Sequence, residues 1–181
     1  MNFKKSRLRG AFLIEIDKKS DERGYLARTF CAAEYRRHGL NPVIIQTSTS
    51  FNRRKGTLRG MHYQVSPFKE AKTVRCTRGS IYDVIVDLRK DSKTYRQWMS
   101  IVLTAENHRM VYIPEGFAHG FQTLSPNAEV LYYMSEAFAP QAARGFRWND
   151  PAFRIKWPAV TRRIISPRDQ QYTEFSKQPR Q

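Results

Sequence analysis

Apolar and polar residues fall into short blocks along the middle of this chain, and the blocks have the period of strands. The clearest is Ile81-Tyr82-Asp83-Val84-Ile85-Val86-Asp87-Leu88, rich in β-branched residues and bounded by Gly79 and by Lys90-Asp91-Ser92. Asp83 and Asp87 alternate with apolar neighbours, but Ile81 and Ile85 share their face, so the alternation is imperfect. Residues 43–50, 57–64, 98–103, 109–113, 120–124 and 130–134 are further strand candidates. Turn signals recur between them at Lys55-Gly56, Arg78-Gly79, Pro114-Glu115-Gly116 and Ser125-Pro126-Asn127. Many short strands with regular turns predict an all-β sandwich or barrel. Helical patterning is scarce: residues 32–38, with Gly39 as C-cap, form the best short helix. From about residue 150, Pro151, Pro158 and Pro167 predict an irregular wrapping segment.

Length and composition narrow the class. With 181 residues, 40% apolar and 27% charged, the chain reads as one globular domain over 1–181. The apolar patch Ala11-Phe12-Leu13-Ile14 is too short for a signal-peptide core, and there is no run of about 18 apolar residues for a membrane span. Cys31 and Cys76 lack CxxC spacing and read as thiols of a reducing cytoplasm. The net charge of +16 favours an anionic partner, and its basic residues are spread along the chain rather than gathered in a tail. No zinc-finger or RNP pattern accompanies them, which argues against nucleic acid as the principal partner.

The candidate chemistry gathers in Arg59-Gly60-Met61-His62-Tyr63-Gln64 and the nearby Lys72. An Arg can pair two phosphate oxygens, a His titrates near neutral pH, and a Lys can stabilise an oxyanion. Together they suit proton abstraction beside a carbonyl on a phosphorylated substrate. A metal is not implied, because His62-Tyr63-Gln64 offers a single His and His38, His108 and His119 are scattered along the chain. No Gly-rich dinucleotide fingerprint is present, and no cofactor is expected.

Several segments resemble the nucleotide-sugar 3,5-epimerases of the dTDP-4-dehydrorhamnose family. They are Asp21-Glu22-Arg23-Gly24, Leu58-Arg59-Gly60-Met61-His62-Tyr63-Gln64, Lys72, Asp83-Val84-Ile85-Val86-Asp87-Leu88-Arg89, residues 113–121, Trp148-Asn149-Asp150-Pro151 and Ser166-Pro167-Arg168-Asp169. The likeness runs over residues 21–169, and residues 113–121 also resemble the second cupin motif. The resemblance implies a cupin-type jelly roll with short peripheral helices, a nucleotide-sugar substrate, no metal, and a homodimer whose N-terminal part reaches the partner's pocket. It implies that His62, paired with Asp169, is the base. Lys72 then stabilises the enolate and Tyr132 is the acid, although only one of Tyr132 and Tyr133 can face a cavity from a strand. By the same resemblance Arg23 and Arg59 hold the diphosphate, and Gln46 and His119 are further substrate contacts.

Two departures mark this chain. Leu26 and Arg28 stand where the family usually has Phe and Glu at the nucleotide end of the pocket, and Phe138 beside Ala137 stands where a second Tyr is usual. The first leaves dTDP, CDP and GDP sugars open, and the second leaves open whether C3, C5 or both are inverted. Arg28 and Phe138 therefore join the substrate-binding candidates. The rival readings are a mono-epimerase or ketoisomerase of a CDP- or GDP-4-keto sugar, and a non-catalytic cupin that binds a sugar nucleotide or nucleic acid.

Overall fold

A computed structural model of the chain describes residues 1–177; the last four residues of the expected domain lie outside them. The chain opens with β1 (Asn2–Lys5), β2 (Phe12–Glu15), a hairpin of β3 (Lys18–Asp21) and β4 (Gly24–Ala27), and helix α1 (Ala32–Arg37). Eight strands follow: β5 (Gln46–Asn52), β6 (Thr57–Gln64), β7 (Lys72–Arg78), β8 (Ser80–Asp87), β9 (Trp98–Thr104), β10 (Met110–Ile113), β11 (Phe117–Thr123) and β12 (Ala128–Met134). The short β13 (Ala143–Gly145), β14 (Ile164–Ile165) and α2 (Pro167–Gln171) come last, with a 3-10 turn at Phe175–Lys177.

The strands form two facing six-membered assemblies. One has the order β1-β2-β10-β7-β12-β5; the other has the order β13-β6-β11-β8-β9, with β14 added parallel to β6. Consecutive strands repeatedly cross from one sheet to the other, which is the jelly-roll arrangement of a cupin. Val74, Cys76, Val111, Ile113 and Val130 from the first sheet meet Ile81, Ile85, Leu103, Phe117 and Phe121 from the second, all nearly solvent-free. Burial of each Val, Ile, Leu or Phe contributes about 1.5–3 kcal/mol. The outer face of the first sheet is covered by α1 and the turn after it, through Tyr35 and Leu40 on Phe12, Ile14, Met110 and Tyr112. Phe146, Phe153, Trp157 and Phe175 cover the outer face of the second, against Met61, Val84, Val86 and Ala118.

This double covering explains the imperfect pattern of β8. Ile81 and Ile85 point into the core between the sheets, while Val84 and Val86 pack under the C-terminal segment, so both faces are apolar. The peripheral strands β1, β3, β4, β13 and β14 were not anticipated from the sequence pattern, and neither were two strands of the main sheets. β2 lies in the apolar patch at residues 11–14, and β7 has only Val74 and Cys76 as buried apolar anchors among Lys, Thr and Arg. Boundaries moved as well. The segment expected at 43–50 pairs as a strand only from Gln46 and continues to Asn52, and the one expected from 120 begins at Phe117, immediately after the Pro114–Gly116 turn.

Candidate active site

At one end of the space between the sheets the apolar core gives way to a cavity of about 450 Å³. Its walls come from β5, β6, β7, β11 and β12 and from the C-terminal α2 region. Along β5 the residues turned toward it, Gln46, Ser48 and Ser50, alternate with outward-facing Thr47, Thr49 and Phe51.

The close approach of β6 and β11 places two histidines opposite one another. Gly60 has φ +124°, and a Cβ there would stand 2.6 Å from the Gly120 Cα; a Cβ on Gly120 would stand 2.8 Å from the Arg59 carbonyl oxygen. With both side chains absent the strands meet at a bulge, and His62 and His119 become register partners. The His62 Nε2 lies 2.7 Å from Asp169 Oδ1. Asp169 Oδ2 accepts the Gly60 N–H at 3.2 Å, and the Asp169 N–H donates to Ser166 Oγ, which caps α2, at 3.1 Å. The pairing of Ile164 and Ile165 with Thr57 and Leu58 ties the chain to β6 just before α2, which delivers Asp169 to a His 107 residues earlier. Burial alone would raise the Asp169 carboxyl; the hydrogen bond and charge of His62, with the Gly60 and Ser166 contacts, more than offset it and hold it below its ordinary value.

The second imidazole is buried. The His119 Nε2 lies 2.7 Å from Asp83 Oδ2, and Asp83 has no solvent exposure. Beside it, Tyr132 lines the cavity with its ring centroid 6.1 Å from that of His119. Burial first, then the Asp83 carboxylate, pushes the Tyr132 phenol well above its ordinary value, against a smaller opposing effect of Arg59. The hydroxyl therefore stays protonated at neutral pH and can donate. Tyr133 faces the other way, its hydroxyl 3.1 Å from Thr29 Oγ1 and its ring against Phe30. Lys72, the first residue of β7, reaches Glu70 Oε1 with its Nζ at 2.6 Å. The Arg59 Nε–H donates to Asn52 Oδ1 at 2.8 Å. Phe138 sits at the rim, 54% exposed, its N–H on Gln46 Oε1 at 3.1 Å.

A profile of the dTDP-4-dehydrorhamnose 3,5-epimerase family matches residues 5–177. A dTDP-4-dehydrorhamnose 3,5-epimerase of Methanothermobacter thermautotrophicus is 42% identical over 98% of this chain and 96% of its own length. Among solved structures, the dTDP-4-dehydrorhamnose 3,5-epimerase of Elizabethkingia anophelis superposes with a TM-score of 0.94 at 33% identity, covering 97% of each chain. The dTDP-6-deoxy-D-glucose-3,5-epimerase of Legionella pneumophila, solved with dTDP-4-keto-L-rhamnose, superposes with a TM-score of 0.91 at 33% identity, covering 97% of this chain and 93% of its own. The chain belongs to the dTDP-4-dehydrorhamnose 3,5-epimerase family.

It is thus an isomerase-class enzyme of the cupin fold. Eight of the residues singled out from the epimerase motifs meet at the cavity: His62, Asp169, Lys72, Tyr132, Gln46, Arg59, His119 and Phe138. Arg23 and Arg28 do not. Arg23 pairs with Asp21 at 2.6 Å on the exposed β3–β4 hairpin, and Arg28 pairs with Glu34 of α1 at 2.7 Å. Neither arginine lines this cavity.

The epimerase cavity also contains residues that the sequence reading passed over: Glu70, Arg144, Arg168 and Tyr172, with Asp83 behind His119. The Tyr172 ring lies 5.9 Å from that of His62, and the Arg168 Nε–H donates to its hydroxyl at 3.1 Å. Glu70 carried a usable signal, because i and i+2 share a face in extended chain and Lys72 was already a candidate. Asp83 carried another, as a charged residue among apolar ones in a predicted strand. Among the described residues no three His, Cys, Asp or Glu side chains converge as ligands, and each cavity histidine already has a carboxylate partner.

Proposed function

We propose that this epimerase inverts C3, C5 or both in a 4-keto-6-deoxy nucleotide sugar, with dTDP-4-dehydro-6-deoxyglucose as the leading substrate. The observation that carries the reading is the division of proton-handling groups between the two sheets. His62, with its carboxylate partner, projects from β6, while Tyr132 and Lys72 project from β12 and β7 of the facing sheet.

In this reading His62, oriented by Asp169, takes the proton beside the ketone. The electron pair of the broken C–H bond moves into the enolate, and charge develops on the ketone oxygen. The Lys72 ammonium stabilises that charge more in the transition state than in the ground state. Tyr132 returns a proton from the opposite face, which inverts the carbon, and its raised affinity for the proton suits it to donate only to a strongly basic carbanion. Arg59 binds a diphosphate oxygen, Gln46 and Phe138 contact the sugar and nucleoside, and His119, nearly buried against Asp83, supports the site from β11.

Arg23 and Arg28 fit this scheme through a second copy of the chain. The β3–β4 hairpin is exposed along both strands, with Leu26 77% and Tyr25 47% exposed. In a homodimer, the hairpin would bury this apolar surface and bring its two arginines to the partner's cavity. The free Cys31 and Cys76 and a sugar-nucleotide substrate favour a cytoplasmic enzyme. Among the described residues no helix is long and apolar enough to cross a membrane.

The test is incubation with dTDP-, CDP- and GDP-4-keto-6-deoxy sugars in heavy water, read by NMR. Deuterium at C3 or C5 of the dTDP sugar, with inversion, is the expected result. No incorporation into any of the three would overturn the reading; incorporation only into the CDP or GDP sugar would transfer the activity to that nucleotide and make Arg28 the first residue to revert to Glu.

A further inference from the structure

We propose that Glu70 is a positioning residue for Lys72, holding its ammonium at the place where charge develops on the ketone oxygen. The inference rests on the role given to Lys72 above. The Lys72 Nζ stands 2.6 Å from Glu70 Oε1, and the two side chains are only 11% and 10% exposed. Both line the cavity. This is a charge-assisted hydrogen bond with little water around it, which is the strong kind.

The local backbone is built to hold the pair. Ala71, between them, turns the other way and is 2% exposed among the residues beneath α1. Its N–H donates to Ser135 Oγ at 2.8 Å, and its carbonyl accepts the Ser135 N–H at 2.9 Å. These two bonds extend the pairing of β7 with β12 one residue beyond the strand. Glu70 and Lys72 are consequently forced onto one face, with Glu70 at the cavity although it precedes the sheet.

The charge inventory makes a carboxylate here unexpected. Arg59, Lys72, Arg144 and Arg168 also line the cavity, and Glu70 is the one acidic side chain among the described lining residues. A site for a diphosphate gains nothing from a carboxylate, which repels the ligand. Its use lies with Lys72. A lysine is a point charge on four rotatable methylenes, and a bound diphosphate would draw it away from the sugar. Anchoring one N–H on Glu70 leaves two others for the ketone oxygen. Glu70 itself exchanges no proton and touches no reacting atom.

The experiment measures kcat and KM for inversion, and the Kd of dTDP, in Glu70→Gln, Glu70→Asp, Lys72→Ala and the double variant Lys72→Ala/Glu70→Gln. Glu70→Gln is nearly isosteric, and thermal unfolding checks that it folds. We expect kcat to fall roughly tenfold in Glu70→Gln, the loss of one charge-assisted bond, while the dTDP Kd stays the same or tightens. Glu70→Asp, which keeps the charge, should recover most of the rate. In the Lys72→Ala background the Glu70 change should cost nothing more. Unchanged kcat in Glu70→Gln, or a further tenfold loss in the double variant, would overturn the inference. If Glu70→Gln fails to fold, Glu70→Ala carries the test: a roughly tenfold lower kcat that Glu70→Asp largely restores supports the role, and an unchanged kcat overturns it. Wild-type kcat in Lys72→Ala would instead overturn the enolate role of Lys72, so the two failures are distinguishable.

Discussion

Two imidazole–carboxylate pairs stand opposite one another across β6 and β11, with the same 2.7 Å separation and different surroundings. The His62 side chain is 43% exposed toward the cavity, whereas that of His119 is 6% exposed. Asp169 uses both oxygens, on His62 and on the Gly60 N–H. Asp83 uses one, and its Oδ1 is buried with no hydrogen-bond partner. Hydrogen-bond length therefore does not distinguish a base from a buried support. Access does: a ring that must take a proton from a sugar carbon has to reach it, and only His62 is open. The His119–Asp83 pair lies beside Tyr132, whose phenol is pushed above its ordinary value first by burial and then by the Asp83 carboxylate.

The largest effect should come from removing the open ring. His62→Ala should lower solvent deuterium exchange by about 10²–10⁴-fold while dTDP still binds, measured by NMR and calorimetry. Exchange at the wild-type rate would assign the base elsewhere.

The two carboxylates should separate next. Asp169→Asn should cost roughly 10²-fold in rate through a misaligned imidazole. Asp83→Asn should instead act on the fold, by about 1–3 kcal/mol in denaturant unfolding, with the exchange rate staying in the wild-type range. The reverse pattern would exchange the two roles. Acid sharpens the contrast. The folded-state pKa of Asp169 is depressed, so its stabilisation is present above the unfolded value of about 3.9 and is lost as pH falls through the folded value. Asp169→Asn should flatten that part of the acid-unfolding profile.

Tyr132→Phe should slow completed inversion roughly tenfold more than it slows deuterium exchange, since His62 can still remove and return a proton on its own face. Equal losses in both measurements would merge the two roles. The smallest effect expected is none: prolonged EDTA treatment should leave activity unchanged, because each cavity histidine is already engaged by a carboxylate. Activity lost to EDTA and restored by one divalent ion would require a different partner for one of these rings.

Much of the architecture was legible in the chain. The β-branched blocks and recurring turns marked β5, β6 and β8 to β12, and the short run before Gly39 marked α1. β7 was hidden because Lys, Thr and Arg occupy both of its faces and only two buried apolar residues, Val74 and Cys76, anchor it. The Arg59–Gln64 and Ser166–Asp169 motifs could be matched to the epimerases, but nothing local to either one says that they touch.

By itself the sequence determined the β class, the positions of most turns, the family and the identity of eight side chains that meet in the cavity. Periodicity, turn chemistry and motif are local properties, readable over a few residues. Only the tertiary structure decided that Glu70 meets Lys72 in the cavity, that Asp83 lies behind His119, and that Arg23 and Arg28 lie outside that chain's own cavity. Alternation along a strand says which residues share a face. Which face turns inward depends on pairing with strands far away in the chain, and on side chains such as the absent Cβ atoms of Gly60 and Gly120 that set how closely those strands approach.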